Sequence, residues 1–258
     1  MATITVDRSI NADDAFAMSA GTCFVSLPTG SLTYQSNPTG YSTWVTGTIV
    51  SSSNWQSVCY GNNIVVAVSS TSGTTAATSP TGATATWTLR TMPATASWYA
   101  VAYGLDKFVA VTGGASTAGA YSADGAVWTS TGALTTSGDW RALTFGNDRF
   151  VTLSYGSANS NYSTNGTSWT AGGALPASRN WTSVVYGEST FVVVATGTDK
   201  GAYSTDGGVG WTEMTMPSSA SWSSVTYGNG RFVAVATGPS TTAAYSDDGI
   251  TWNACTLP

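Results

Sequence analysis

The feature that most constrains the fold is an internal repeat of about 41 residues. The five clearest copies begin at Trp55, Trp98, Trp140, Trp181 and Trp222. Their spacings are 43, 42, 41 and 41 residues. A weaker first copy precedes them, with Phe24 lying 41 positions before Val65 and Asp14 at the Trp position. Self-similarity at such a period is typical of solenoids and propellers.

Each copy divides into four extended segments. The first reads W-x-x-V-x-Y and ends in a Gly-rich turn such as Gly104-Leu105-Asp106, whose residue types tolerate positive φ. The second reads close to F-V-A-V-A, so it is apolar on both faces and predicts a strand buried on both sides. A loop leads to A-Y-S or N-Y-S, and a short turn to a fourth segment that begins with Trp.

Four short antiparallel strands in each of six repeats predict an all-β fold, a six-bladed β-propeller. One such sheet cannot hide two apolar faces, whereas radially stacked blades cover one another. A solenoid is the alternative, but it requires polar caps, and the last copy is among the most typical. Residues 1–9 are expected to be an extra edge strand or a tether, and residues 10–258 a single domain. The predicted blades cover residues 10–52, 53–96, 97–138, 139–179, 180–220 and 221–258.

Composition excludes several classes of function. Charged residues make up 8% of the chain and the net charge is −5, which argues against nucleic acid as a partner. Histidine is absent, which excludes Ser-His-Asp or Cys-His catalysis and any His-ligated metal. We therefore expect no metal and no cofactor. No secretory signal is visible, and no apolar run is long enough to cross a bilayer.

The three cysteines, Cys23, Cys59 and Cys255, show no C-x-x-C spacing. They fit buried small apolar side chains. An intermolecular disulfide through Cys255 is the alternative.

The turn before the fourth-segment Trp carries a recognisable motif. Residues 204–211 (STDGGVGW) match the pattern S-x-D-x-G-x-x-W, and three further copies are one residue shorter. The residues concerned are Ser122, Asp124, Gly125 and Trp128; Ser163, Asn165, Gly166 and Trp169; Ser204, Asp206, Gly208 and Trp211; and Ser246, Asp248, Gly249 and Trp252. The first two copies, at 36–40 and 79–82, lack the Asp.

These four boxes, in phase with the repeat, resemble the Asp-box (sialidase-like, BNR-type) β-propellers. The resemblance implies that the box is a folding element of the third-to-fourth-strand hairpin, so Asp124, Asp206 and Asp248 are expected to be structural. The hydroxyl-rich, charge-poor composition also resembles tail-fibre and decoration proteins of tailed bacteriophages.

A sialidase-like glycosidase is the obvious enzymatic alternative. That family implies an arginine triad, a Tyr–Glu nucleophile and an Asp acid. Here Arg149, Arg231 and Glu188 fall in or beside the first hairpin turn, on the side of the boxes, and Glu213 falls on an outer strand. The carboxylates left for the opposite loops are Asp13, Asp14, Asp139 and Asp199. We therefore expect a protein that is not an enzyme.

The tryptophans that open the first segments, Trp55, Trp98, Trp140, Trp181 and Trp222, have two interpretations. A ring of aromatic side chains beside hydroxyl groups would bind sugars. Alternatively, each Trp packs between blades as core. The function expected is that of a virion or extracellular-surface structural or adhesion protein, such as a phage tail-fibre or decoration component. Its partners would be other virion or cell-surface proteins and host-surface polysaccharide. A purely structural knob without a ligand is the alternative.

Overall fold

A computed structural model of the chain describes residues 51–257 except positions 52, 81, 83–85 and 239, together with three earlier strands. The described residues contain no helix. Their strands, numbered in chain order, are β1 (Phe24–Ser26), β2 (Ser31–Gln35), β3 (Trp44–Thr48), β4 (Trp55–Gly61), β5 (Ile64–Ser69), β6 (Gly73–Ser79), β7 (Thr88–Gly104), β8 (Lys107–Gly113), β9 (Gly119–Ser122), β10 (Thr129–Ser130), β11 (Asp139–Gly146), β12 (Arg149–Tyr155), β13 (Ser160–Ser163), β14 (Thr170–Ala171), β15 (Trp181–Gly187), β16 (Thr190–Ser204), β17 (Thr212–Gly228), β18 (Arg231–Ala236), β19 (Thr242–Ser246) and β20 (Asn253–Thr256).

These strands pair antiparallel in sheets of three, seven, four and six strands. The prediction of antiparallel, all-β structure is confirmed. The sheets do not follow one predicted blade each, because some strands run on from one repeat into the next. The start of β7 pairs with β6 and its end pairs with β8, so one strand belongs to two repeats. β17 does the same between β16 and β18.

Grouped by their pairing, the strands form successive units, one for each repeat. We number the units in the order of the repeats. Unit 4 is a separate four-stranded sheet, β11–β12–β13–β14. Units 2 and 3 share β7, and units 5 and 6 share β17. Unit 5 also joins its second and third strands in the single long β16. The described strands of unit 1 are β1, β2 and β3. First strands of successive units lie side by side, from β4 through β7, β11 and β15 to β17.

The turn between the first and second strands has positive φ at two central residues. In unit 3 these are Leu105 (49°) and Asp106 (55°), and in unit 4 Asn147 (49°) and Asp148 (55°). Two successive residues of positive φ match the twist of the flanking strands in a two-residue hairpin. Asn and Asp tolerate this region, as the sequence predicted.

The glycine before each turn has a different role from the one its turn position suggested. The first strand of one unit ends in this Gly, and an aromatic side chain of the next unit lies directly against it. A Cβ built on Gly104 would lie within 2.5 Å of three ring carbons of Phe145. The same arrangement pairs Gly61 with Tyr103, Gly146 with Tyr186 and Gly187 with Tyr227. Hydrogen in place of a side chain therefore lets neighbouring first strands approach.

The core lies between units. The second strands are buried on both sides, as predicted: Phe108, Val109, Ala110 and Val111 are all 0% exposed. One apolar cluster combines Val109 and Val111 of unit 3 with Trp140 and Phe150 of unit 4. The next combines unit 4 with unit 5 in the same way. Stacking of units, rather than any single sheet, thus removes the apolar surface from water.

Candidate functional site

A β-bulge follows the opening tryptophan of every first strand in the described units. The register shifts by one residue between Trp140 and Ala142, and at the equivalent points of the other four. The residues left unpaired are Gln56, Tyr99, Arg141, Thr182 and Ser223. All five are half-buried, although the tryptophans beside them are buried. Bulges of this kind re-aim a side chain and are frequent beside functional sites.

We call these five residues the bulge ring. They occupy the same position on the adjacent first strands, and therefore the same end of the units, here called the Trp end. The other end, called the box end, carries the first hairpin turns and the box turns. Hydrogen bonds between neighbouring units show that the first hairpin turns and the box turns lie at the same end. Asn62 Nδ2 donates to Ala123 O at 3.3 Å, and Arg149 Nη1 donates to Gly207 O at 3.4 Å.

Charged and aromatic groups concentrate around Arg141 of the bulge ring. Its Nε and Nη2 lie 2.7 and 2.6 Å from Asp139 Oδ2. Its guanidinium carbon lies 4.2 Å from the ring centroid of Tyr155 and 4.9 Å from that of Tyr99. Asp139 Oδ1 accepts a hydrogen bond from Gly114 N–H at 2.8 Å. Tyr99 belongs to unit 3 and Arg141 to unit 4, so the cluster spans two units.

Opposing effects act on the Arg141 side chain. Burial alone would lower the pKa of its guanidinium, but the hydrogen bond and charge of Asp139 outweigh burial and raise that pKa. The side chains keep part of their surface in water, with 28% of Arg141 and 20% of Asp139 exposed. The cluster is therefore an ion pair that lies beside two phenol rings and is partly exposed to solvent.

The other bulge residues are hydroxyl and amide groups. Thr182 Oγ1 donates to Trp222 O at 2.8 Å, which links unit 5 to unit 6. Ser223 Oγ donates to Val235 O at 3.3 Å within unit 6. Each hydroxyl oxygen keeps acceptor capacity after that donation. The bulge ring thus combines an amide, a phenol, a guanidinium and two hydroxyls, and Asp139 and Tyr155 lie beside the guanidinium.

The tryptophans predicted as a sugar platform belong to the core. Trp98, Trp140, Trp181 and Trp222 are 0% exposed and Trp55 is 6% exposed. A buried ring has no face for a sugar, so the structure favours the core interpretation and corrects the ligand-binding one. The sequence signal that was missed is the residue after each Trp. The type of this residue varies from unit to unit while the residues on either side recur, which indicates that packing does not determine it.

The box turns are built around one acceptor oxygen. Asp124 Oδ1 accepts hydrogen bonds from the Ser122 hydroxyl at 3.0 Å and from the N–H groups of Ala126 and Val127, both at 2.9 Å. These N–H groups lower the pKa of Asp124. The same bonds, with small differences of register, are made by Asn165, Asp206 and Asp248.

Serine, glycine and tryptophan complete each box. The serine hydroxyl accepts the N–H of the box glycine, as between Ser246 and Gly249 at 2.9 Å. That glycine has positive φ, 73° at Gly249. Unit 2 lacks the Asp but keeps this bond, from Gly82 N–H to Ser79 Oγ at 2.7 Å. The indole N–H of Trp128 donates to Gly125 O at 2.9 Å inside the box. The other box tryptophans donate outside their own box, to Thr131 Oγ1 (Trp169), Ser160 Oγ (Trp211) and Met214 Sδ (Trp252).

Carboxylates considered for glycosidase chemistry do not gather in the described residues. Glu213 pairs with Arg179 at 2.8 Å and Asp199 with Lys200 at 3.4 Å. A Tyr–Glu contact does occur, between the Tyr227 hydroxyl and Glu188, but at the box end. Asp13 and Asp14 lie outside the described residues.

Within the part of the chain that the structure describes, no three His, Cys, Asp or Glu side chains are placed to hold a metal ion. Cys59 is buried and Cys255 is partly exposed, and neither forms a disulfide within the described part of the chain; Cys23 lies outside the described residues. No helix among those residues has the length and apolar character that a membrane span requires.

No protein-family model matches the chain, and no curated protein sequence matches it. Solved structures do match. A catalytically inactive histidine-to-alanine variant of virginiamycin B lyase from Staphylococcus aureus, with quinupristin, superposes with a TM-score of 0.78 at 11% identity, over 92% of this chain and 80% of that one. YCF48 bound to D1 peptide gives 0.68 at 16% identity, over 92% and 77%.

A chain of a nidogen/laminin complex gives a TM-score of 0.63 at 10% identity, over 88% of this chain and 90% of that one. These neighbours are β-propeller proteins. The chain therefore has a β-propeller fold, which the four-stranded repeat had predicted. At such low identity the likeness concerns the fold alone, and the function has to be argued from the site.

Proposed function

We propose that the chain is a non-enzymatic surface protein whose propeller presents the bulge ring to host-surface glycans. In this proposal it is a structural or adhesion component of a virion or cell surface, such as a phage tail fibre or decoration protein, and an Asp-box propeller. Other surface proteins and polysaccharide are its partners. The alternative is a structural knob on the same surface that binds no glycan.

The observation that carries the proposal is the contrast within the repeat. Trp140 and its equivalents are buried and recur, while the next residue changes from unit to unit and stays half-buried. If the residue after each Trp served only to form the bulge, the same small residue would suffice in every unit. Different hydrogen-bonding groups at equivalent positions suit a ligand that has no symmetry of its own. Several such groups at one end of the units are what a polyhydroxylated ligand needs.

The proposal includes six blades in a closed ring. The Gly–ring contact occurs at four successive junctions, between units 2 and 6. Equal stacking at each junction turns successive units by a similar angle, and unit 1 then fills the remaining gap. A cryo-EM map of the full chain tests this: six blades around a channel are expected, and an open superhelix would contradict closure.

Several features support a role without catalysis. The box carboxylates Asp124, Asp206 and Asp248 accept backbone N–H groups of their own turns through Oδ1, which fits a structural role. The lyase neighbour is described as inactive when a histidine becomes alanine, and this chain contains no histidine. Two other neighbours were solved with a bound peptide or protein, which shows that this fold serves binding in those proteins.

A titration of intrinsic tryptophan fluorescence with bacterial surface polysaccharide tests the proposed function, with a glycan array to select the ligand. We expect Gln56→Ala and Tyr99→Ala to weaken binding at least tenfold. Val127→Ala is the control, because Val127 is 71% exposed and lies in a box turn, at the end of the units opposite to the bulge ring. Equal loss in the control would contradict a Trp-end site. Absence of any glycan binding, with the protein present stoichiometrically on particles, would favour the structural alternative.

A further inference from the structure

We propose that Asp139, Arg141, Tyr99 and Tyr155 form the subsite that selects the ligand, and that they recognise an uncharged sugar unit through adjacent hydroxyl groups. This inference rests on the proposed function and adds the chemical class of the ligand and the residues that read it.

The subsite is rigid before any ligand arrives. Arg141 is held by Asp139 on one side and by two phenol rings, at 4.2 and 4.9 Å, on the others. Asp139 is held in turn by Gly114 N–H at 2.8 Å, and Asp139 N–H donates to Ser154 Oγ at 3.2 Å. Groups fixed in this way lose little conformational entropy when a ligand binds. A weak, hydroxylated ligand requires such preorganisation.

The charges within the subsite favour a neutral ligand. Both contacting nitrogens of Arg141 face the same oxygen, Asp139 Oδ2, at 2.6 and 2.7 Å. An anionic group that approached the guanidinium would also approach this carboxylate, and the repulsion would cancel much of its attraction. A hydroxyl group does not meet this conflict, because it accepts from the guanidinium side and donates to the carboxylate side. Two hydroxyls on adjacent sugar carbons present both functions at once.

The surroundings favour a sugar over a peptide. Protein-binding sites are anchored by large apolar or aromatic side chains that enter a partner's pocket. The exposed large apolar side chains of the described chain are Leu89, Val127, Val209, Ile250 and Leu257. Leu89 lies in the part of β7 that pairs with β6, three of the others are in box turns, and Leu257 follows β20. The aromatic groups at the Trp end are instead phenols packed against a cation, beside amide and hydroxyl groups.

The chain contains a matched control at the opposite end. Arg231 Nε lies 2.7 Å from Asp247 Oδ1, and its guanidinium carbon lies 4.8 Å from the Tyr245 ring centroid. Residue types and distances thus repeat those of the subsite. The control pair is more exposed, at 52% and 65%, and it has one ring in place of two. If an Arg–Asp pair beside a tyrosine ring were sufficient for binding, both sites would bind the sugar.

The test compares two sets of probes by isothermal titration calorimetry on the full chain: neutral gluco-, galacto- and manno-oligosaccharides, and oligouronates of equal length. We expect a neutral oligosaccharide to bind more tightly than its uronate. Arg141→Gln should weaken that binding at least tenfold, and Arg231→Gln should change it less than twofold. Tyr155→Phe, which keeps the ring and removes the hydroxyl, serves as a second variant if Arg141→Gln does not fold. We expect Tyr155→Phe to weaken binding about threefold. An unchanged affinity would count against a role for Tyr155.

The Asp139→Asn variant distinguishes a binding role from a purely structural one through the relative affinity for uronate and neutral sugar. Removing the carboxylate charge should raise the affinity for the uronate relative to the neutral sugar at least fivefold. Tighter binding of uronates by the unaltered protein, or neutral-sugar binding that Arg141→Gln leaves unchanged, would overturn the subsite while the proposed function stands. If no saccharide of either set binds and the array is also negative, the glycan-binding function itself fails.

Discussion

Replacing Gly104 by alanine should break the contact between units 3 and 4. The added Cβ would lie within 2.5 Å of three ring carbons of Phe145, well inside the van der Waals distance. The ring cannot simply retreat, because it packs against Phe150 with a centroid distance of 4.9 Å. The substitution therefore requires the two units to separate or the ring to leave its rotamer.

The expected cost follows from this overlap. Overpacking of a core by one methyl group usually costs about 1–3 kcal/mol. Since Phe145 has Phe150 behind it, we expect Gly104→Ala to reach the upper part of this range, about 2–3 kcal/mol. Gly73 is the matched control: it also lies in a strand, its φ is not positive, and the nearest atom to a new Cβ is Thr71 O at 3.6 Å. Gly73→Ala should be neutral or slightly stabilising, by up to about 1 kcal/mol.

Urea unfolding followed by tryptophan fluorescence measures both variants, since the chain contains 11 Trp. A double-mutant cycle isolates the contact. Phe145→Ala removes the ring carbons that the new Cβ would meet, so Gly104→Ala should cost almost nothing in that background. Equal free energies of unfolding for Gly104→Ala and Gly73→Ala would refute the role of glycine in stacking. So would additive effects of Gly104→Ala and Phe145→Ala.

The remaining predictions concern hydrogen bonds that differ between units. Trp140 Nε1 donates to Ser116 O at 2.8 Å, whereas Trp181 Nε1 is buried and has no hydrogen-bond partner among the residues that the structure describes. Trp181→Phe should therefore destabilise the protein by ~1–2 kcal/mol less than Trp140→Phe, as urea unfolding would show; the reverse order would refute this. Burial would raise the pKa of Asp248, but two backbone N–H groups and the hydroxyls of Ser246 and Thr251 lower it to about 2. Because this pKa lies below the unfolded value, the stabilisation is present above about pH 4 and is lost as the pH falls toward 2. Since the side chain is exposed, Asp248→Ala should cost only ~1 kcal/mol at neutral pH. Asp248→Asn should cost less, as Asn165 makes the same bonds in unit 4, and should remove this part of the acid sensitivity; an unchanged pH dependence of the melting temperature would contradict it.

Features that repeat in the sequence could be predicted from it, because every copy reports the same environment. The second strand is apolar on both alternating faces, and Phe108 and Val109 are indeed buried. The turn residues Asn147 and Asp148 have the positive φ expected of their types. The box oxygen of Asp124 accepts the N–H groups of its own turn, which are only two and three residues away. Local bonds and local burial patterns depend on residues near one another in the chain.

Features that depend on contacts between copies could not be predicted in the same way. Recurrence of tryptophan was compatible with core and with a ligand platform, and only the packing of unit on unit buries Trp98 and Trp222. Gly104 looks like a turn residue in the sequence, and its role appears only when Phe145, 41 residues later, lies over it. The joining of repeats through β7 likewise arises because one strand pairs with two sheets.

The sequence by itself determined a β-rich chain of repeats built from short antiparallel strands and polar turns, because periodic apolar residues and turn residues act over a few positions. Tertiary structure alone decided which repeated side chains are core and which face solvent. The bulge after each Trp moves Arg141 out of the packed interface and beside Tyr99 of the preceding unit. The repeat places both residues at the same position of their units, but whether they meet depends on the angle at which one sheet stacks against the next.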